Sequence, residues 1–176
     1  TGCNHIGDID YRSGSIYVAI DGCGDGRAKV GVFKRESLSY QGASDLPGLS
    51  RVAAVAFNPV DDRLYALNRN LDALRVYGVH VSGTRLRASF MREVPLLTQH
   101  GERWRGQRNQ GLKFSANGRA YVVFDHADFS KGGVYELEGD PGRQVTRDIS
   151  MEHGRLEDLM TLAVGTAKPV MTGALS

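Results

Sequence analysis

The chain has 176 residues, 41% hydrophobic and 24% charged, which is enough for one domain with a substantial core. Its 22 basic residues nearly cancel its 20 acidic ones, so the formal charge of +2 gives no reason to expect a nucleic acid or an anionic membrane as partner. No apolar run reaches the length of a membrane-spanning helix.

In chain order, the first predicted element is a hairpin over 8–21, DIDYRSGSIYVAID. An alternating strand ends at Tyr11, a polar RSGS turn follows, and a second strand carries Tyr17 and stops at Asp21. The same plan returns over 54–68, AVAFNPVDDRLYALN, with Phe57, the turn NPVDDR, Tyr65 and a stop at Asn68. It returns again over 109–125, NQGLKFSANGRAYVVFD, with Phe114, the turn SANGR, Tyr121 and a stop at Asp125. Alternating strands joined by Gly- or Asp-bearing turns are hairpin grammar.

From the first aromatic of each unit it is 22, 20 and 21 residues to a third, in the pairs Val32-Phe33, Val76-Tyr77 and Val134-Tyr135. A fourth strand is expected each time, around 37–40, 86–90 and 144–149. Units of four strands, 46 and 57 residues apart by the Tyr11–Phe57 and Phe57–Phe114 spacings, describe propeller blades. The predicted fold is therefore all-β, a β-propeller of four-stranded antiparallel blades. Blades are expected over about 5–49, 50–105 and 106–152, with a partial one over 153–176. About 3.5 blades are fewer than a closed ring needs, so the chain is expected to be part of a larger propeller or to close with another chain.

HIGDIDYRSGSIYVAID, RVAAVAFNPVDDRLYALN and NQGLKFSANGRAYVVFD resemble blades of the non-WD propellers of the NHL, gluconolactonase/paraoxonase and YncE-like superfamily. Calcium is the cofactor that the gluconolactonase resemblance implies. It makes Asn109 a ligand at the channel mouth, with Gln110 standing between that Asn and Gly111. Asp8 and Glu157 are the best available carboxylates to join it as metal ligands.

Segments entering the innermost strands, and those leaving the second strands, open onto one face of such a fold. Six positions before the first aromatic stand His5, Arg51 and Arg108, one basic side chain per blade at a common register. Together with Asp8, Asn109, Gln110 and Glu157 they form the expected ligand-binding set. Gln107 and Asp158 lie beside it. Arg presents a rigid fork to planar anions, so the set suits a carboxylate, phosphate or sugar acid. The bland alternative is a rim of solvated ion pairs with Asp8, Glu157 and Asp158.

Asp21, Asp25 and Gly26 resemble the start of a calcium loop, but Cys23 and Val32 stand where oxygen ligands belong, and turn chemistry explains the pattern better. His126 between Asp125 and Asp128, and Trp104 among three arginines, have equally ordinary readings as surface contact and packing anchor. No G-x-S-x-G or HExxH motif supports nucleophilic or zinc chemistry. Cys3 and Cys23 form either a disulfide, which implies an extracytoplasmic home, or two thiols, which imply nothing.

Three functions compete on these grounds. One is an extracytoplasmic (secreted or periplasmic) binding or scaffold module for a protein, glycan or anionic ligand. Another is a calcium-dependent hydrolase or lactonase. The last is a structural subunit completing a propeller with another chain.

Overall fold

The computed structural model describes residues 2–68, 73–83, 85–96, 108–125, 132–138 and 145–149, and among them no helix occurs. Three antiparallel sheets of four strands follow one another, each in sequence order. The first holds β1 (Cys3–Arg12), β2 (Ser15–Cys23), β3 (Lys29–Lys34) and β4 (Tyr40–Asp45). β5 (Ala54–Asn58), β6 (Arg63–Leu67), β7 (Ala73–Ser82) and β8 (Arg85–Pro95) make the second. The third comprises β9 (Arg108–Phe114), β10 (Ala120–Asp125), β11 (Gly132–Glu138) and β12 (Val145–Ile149).

The three predicted turns close the inner hairpins. Ser13 and Gly14 both take positive φ, the requirement of a two-residue hairpin whose twist matches its strands. Asn58 Oδ1 accepts from Val60 N at 2.9 Å, and Ser115 Oγ accepts from Arg119 N at 3.1 Å, so the polar turn residues replace ladder bonds that the loop cannot make. The expected strand over 37–40 is displaced. Those residues instead form a turn, with Leu38 at positive φ and Lys34 N donating to Ser39 O, so the strand begins at Tyr40. The other two fourth strands fall where the sequence places them, within β8 and at β12.

The sheets stack face to face on apolar layers. Strand alternation sends Val55, Phe57, Leu64, Ala66 and Tyr77 of the second sheet against Tyr17, Ala19, Val30 and Val32 of the first. It sends Ala54, Ala56, Tyr65, Leu67, Leu74 and Val76 against Leu112, Ala120 and Val122 of the third. The middle sheet is thus buried on both sides, which is why AVAFN and RLYAL read as unbroken apolar runs.

One contact repeats between sheets. The second-strand tyrosine of each meets the first-strand aromatic of the next: Tyr17 on Phe57 at 4.7 Å, and Tyr65 on Phe114 at 4.9 Å. Burial pushes the hydroxyls of Tyr65 and of Tyr77 up to about 12, beyond the usual tyrosine range. The outward face of the first sheet continues the apolar pattern with no further sheet against it among the described residues: Ile6, Ile9 and Tyr11 are exposed there, with the Arg35 guanidinium 5.2 Å from the Tyr11 ring.

Candidate functional site

The innermost strands β1, β5 and β9 come together along a common axis. β1 and β9 are each interrupted at the same place by a β-bulge. In β1 the register jumps between Ile6 and Ile9, so Gly7 and Asp8 together oppose Ala19. In β9, Asn109 pairs with Phe124 and Gly111 with Val123, leaving Gln110 as the extra residue. At β5, Ala54 pairs with Leu67 while Ala53 N also donates to Leu67 O at 2.8 Å. Gln110, an insertion by sequence, is therefore a bulge residue.

The bulge releases backbone groups for contacts between sheets. Asp8 N donates to Ala53 O at 2.9 Å. The Asp8 side chain, almost fully buried, accepts from Ile9 N at 2.7 Å and from Leu112 N at 3.2 Å, and pairs with Lys113 Nζ at 3.1 Å. Lys113 also donates to Ile9 O. This expected ligand residue is thus a tie between β1 and β9. Two positions on, Asp10 accepts from Phe57 N at 2.7 Å; burial holds its carboxyl above the usual range, and the Phe57 bond opposes that rise.

At the entry end two of the three basic positions lie in ladders, as backbone register partners of the residues that end the second strands. His5 faces Asp21 across the β1–β2 ladder, and Arg108 faces Asp125 across β9–β10. Arg51, half exposed, reaches back to the first sheet, its Nε 3.4 Å from Oδ2 of Asp21, whose side chain is 1% exposed. The other Asp21 oxygen accepts from Gly22 N at 2.6 Å. Asn109, fully buried, repeats the gesture one sheet on, its Nδ2 donating to Asn68 O at 2.5 Å. Arg51 therefore pairs with Asp21 rather than with Asp8. The signal for Asp21 was in the sequence all along, in the polar residue that ends every second strand.

A disulfide between Cys3 and Cys23, register partners in the same ladder, clamps the hairpin end two residues beyond His5 and Asp21, and Gly24 N donating to Gly2 O extends the ladder past it. Asp25 turns away from the mouth. It binds Lys29 Nζ at 2.8 Å and Arg27 N at 3.1 Å, while Lys29 also binds Asp45 at 2.5 Å. These partners hold the Asp25 carboxyl below its usual range, Lys29 first among them, and turn chemistry accounts for the Asp/Gly run.

Among the described residues no group of three or more His, Cys, Asp or Glu side chains is placed to hold a metal ion, and no helix is long and apolar enough to cross a membrane. Glu157, Asp158, Gln107, Trp104, His126 and Asp128 lie outside the described residues.

No protein-family model matches the chain, and no curated protein matches it. Among solved structures, a protein assigned as a gluconolactonase superposes on 84% of this chain with a TM-score of 0.53 and 16% identity. The fold is a β-propeller. Hydrazine synthase of Kuenenia stuttgartiensis also matches, over 85% of this chain, with a TM-score of 0.48 and 14% identity. The chain covers 49% of the first protein and 50% of the second, so it spans about half the length of each. In the propeller each sheet is a blade, and the tyrosine contact and the entry-end reach are its two repeating links between neighbouring blades.

Proposed function

We propose that this propeller is an extracytoplasmic binding module that takes an anionic, carboxylate-bearing ligand at the mouth where its inner strands begin. The observation that carries this reading is Arg51. Its Nε lies 3.4 Å from the buried carboxylate of Asp21, the ladder partner of His5, and among the described residues its two Nη groups make no hydrogen bond, which leaves a rigid fork for a planar anion. The Cys3–Cys23 disulfide supports both the fixed geometry and the compartment.

A calcium-dependent hydrolase is the competing use of the same mouth, with Asp8, Asn109 and Glu157 as ligands. Asp8 spends its oxygens on Lys113 and two backbone donors, which favours binding over metal chemistry.

Titration calorimetry with glucuronate tests the reading. Binding by the parent chain, weakened about tenfold in Arg51→Gln with the fold intact, is expected. A melting temperature raised by calcium and lowered by a chelator, with no glucuronate binding, would transfer the mouth to the hydrolase reading.

A second reading, independent of the mouth, is that another chain supplies a further blade. Tyr11 occupies the position of Phe57 and Phe114 but is 42% exposed, with no second-strand tyrosine against it among the described residues. Light scattering decides this: a strictly monomeric closed particle at all concentrations removes it.

A further inference from the structure

The outer half of the middle blade carries a second feature, unrelated to the mouth. β7 and β8 pair far beyond the end of β6, whose last contact with β7 in that direction is Leu64 with Tyr77. One face of this projecting hairpin packs inward: Val79, Leu86 and Ala88 join the layer against the first blade. The register fixes what the opposite face presents. His80 lies opposite Arg87 and Ser82 opposite Arg85. Alternation on β6 places Arg63 on the same side as Tyr65, away from Leu64. Beyond the bulge at Val76, Arg92 also turns to this side, its Nη2 3.3 Å from the Tyr65 hydroxyl.

Arg63, His80, Arg85, Arg87 and Arg92 are all exposed, and no ion pair joins any of them to a carboxylate among the described residues. Asp61 is taken by the Tyr65 hydroxyl and by Arg63 N. Glu93, the one carboxylate of β7 and β8, is paired with Arg75 at 3.1 Å. A Cβ at Gly78 would stand 3.5 Å from Arg63 Nη1 and 3.6 Å from Met91 Sδ, which puts the Arg63 guanidinium on this face of the hairpin. In a chain of net charge +2, this concentrates positive charge on one sheet face. Adjacent strands separated by about 4.8 Å, and arginines two apart in a strand at about 6.8 Å, give a strip roughly 20 Å long.

We propose that this strip is a docking surface for an acidic polysaccharide, one whose sugar residues carry carboxylate or sulfate groups. The periodic guanidinium forks match regularly spaced planar or tetrahedral anions along an extended chain. Single-stranded nucleic acid fits the strip less well, because base stacking needs free aromatic faces. Phe90, the exposed aromatic of this hairpin, is the ladder partner of Tyr77 and so lies on the opposite face, 6.0 Å from the Tyr77 ring and 5.5 Å from the Arg75 guanidinium. The Cys3–Cys23 disulfide also fits a setting in which such glycans occur.

Heparin and polygalacturonate are the probes, titrated into the full chain at low and moderate salt, with single-stranded DNA as the competing polyanion. The expected result is glycan binding that weakens about tenfold for a fourfold rise in salt. Arg85→Glu combined with Arg87→Glu weakens it by tenfold or more while the melting temperature holds, and Lys34→Gln, exposed on the first blade, leaves it unchanged. On the unmodified protein, heparin should protect Arg85 and Arg87 from phenylglyoxal, read by mass spectrometry; this readout stands even if the double variant folds poorly. No glycan binding, unprotected arginines, unchanged affinity in a folded double variant, or DNA bound as tightly as glycan each overturns the assignment.

Discussion

Gly7→Ala probes the closest backbone approach between the first two blades. A Cβ at Gly7 would stand 2.1 Å from the carbonyl oxygen of Ala53 and 3.2 Å from the Ala19 Cβ. The first of these is backbone, which no rotamer change can move aside. The strands must therefore separate, and the adjacent Asp8 N–H to Ala53 O bond of 2.9 Å lengthens with them. Forcing a methyl into a packed site costs about 1–3 kcal/mol. Weakening a buried backbone hydrogen bond adds about 1 kcal/mol or more. A loss of about 3 kcal/mol is expected, or a fall in Tm of about 6–12 °C for a domain of this size. Urea denaturation followed by circular dichroism measures it. Gly24→Ala is the control, because a Cβ there meets only Gly2 O at 3.8 Å, and its effect should stay within about 0.5 kcal/mol. If Gly7→Ala is as mild as the control, the inner strands do not pack as described and the argument about the bulge fails.

The remaining predictions concern charge and covalent clamping. Asp10 has a folded-state pKa raised by burial, so the folded state holds its proton more tightly than the unfolded chain; its contribution to stability falls as pH rises from the ordinary 3.8 through the raised value. Asp10→Asn keeps an acceptor for Phe57 N and should melt higher than the parent at pH 7, with the difference shrinking as the solution is acidified through that window; a variant less stable at pH 7 refutes the burial argument. Replacing both Cys3 and Cys23 by Ser opens a loop with a sequence separation of 20 and should cost about 3 kcal/mol. It should also weaken glucuronate binding at the mouth, by loosening His5 and Asp21, while leaving heparin binding unchanged.

Much of the architecture was legible because it is local. Alternation around Tyr11, Phe57 and Phe114, with turn residues at fixed offsets, specifies three hairpins without reference to anything distant. Even the double burial of the middle blade shows, in the apolar runs AVAFN and RLYAL. The first blade's last strand was misplaced because Ser37 and Ser39 use their hydroxyls to close a turn where β-propensity alone suggests extension. At the site, the common register of His5 and Arg108 was readable, but the partners were not. Lys113, in the third blade, neutralises Asp8 in the first, and Asp21 pairs with Arg51 from the neighbouring blade. The basic strip is not legible in the sequence because its members sit on three strands, and only the pairing register brings them to one face.

The bulge has one more consequence, and it concerns phase. Ile6 and Ile9 are three residues apart, yet both are exposed on the outward face, which strict alternation forbids. The extra residue resets the count, so the strand beyond it runs half a pleat out of step with the packed strand behind it. Cys3 and His5 thereby turn away from the face that carries Ile6 and Ile9. Since the same offset recurs at Gln110, the first and third blades each keep two alphabets on one strand, one for packing and one for the mouth. Straightening the bulge of β1 with every residue kept would put Cys3 and His5 in phase with Ile9 and Tyr11, on the outward face.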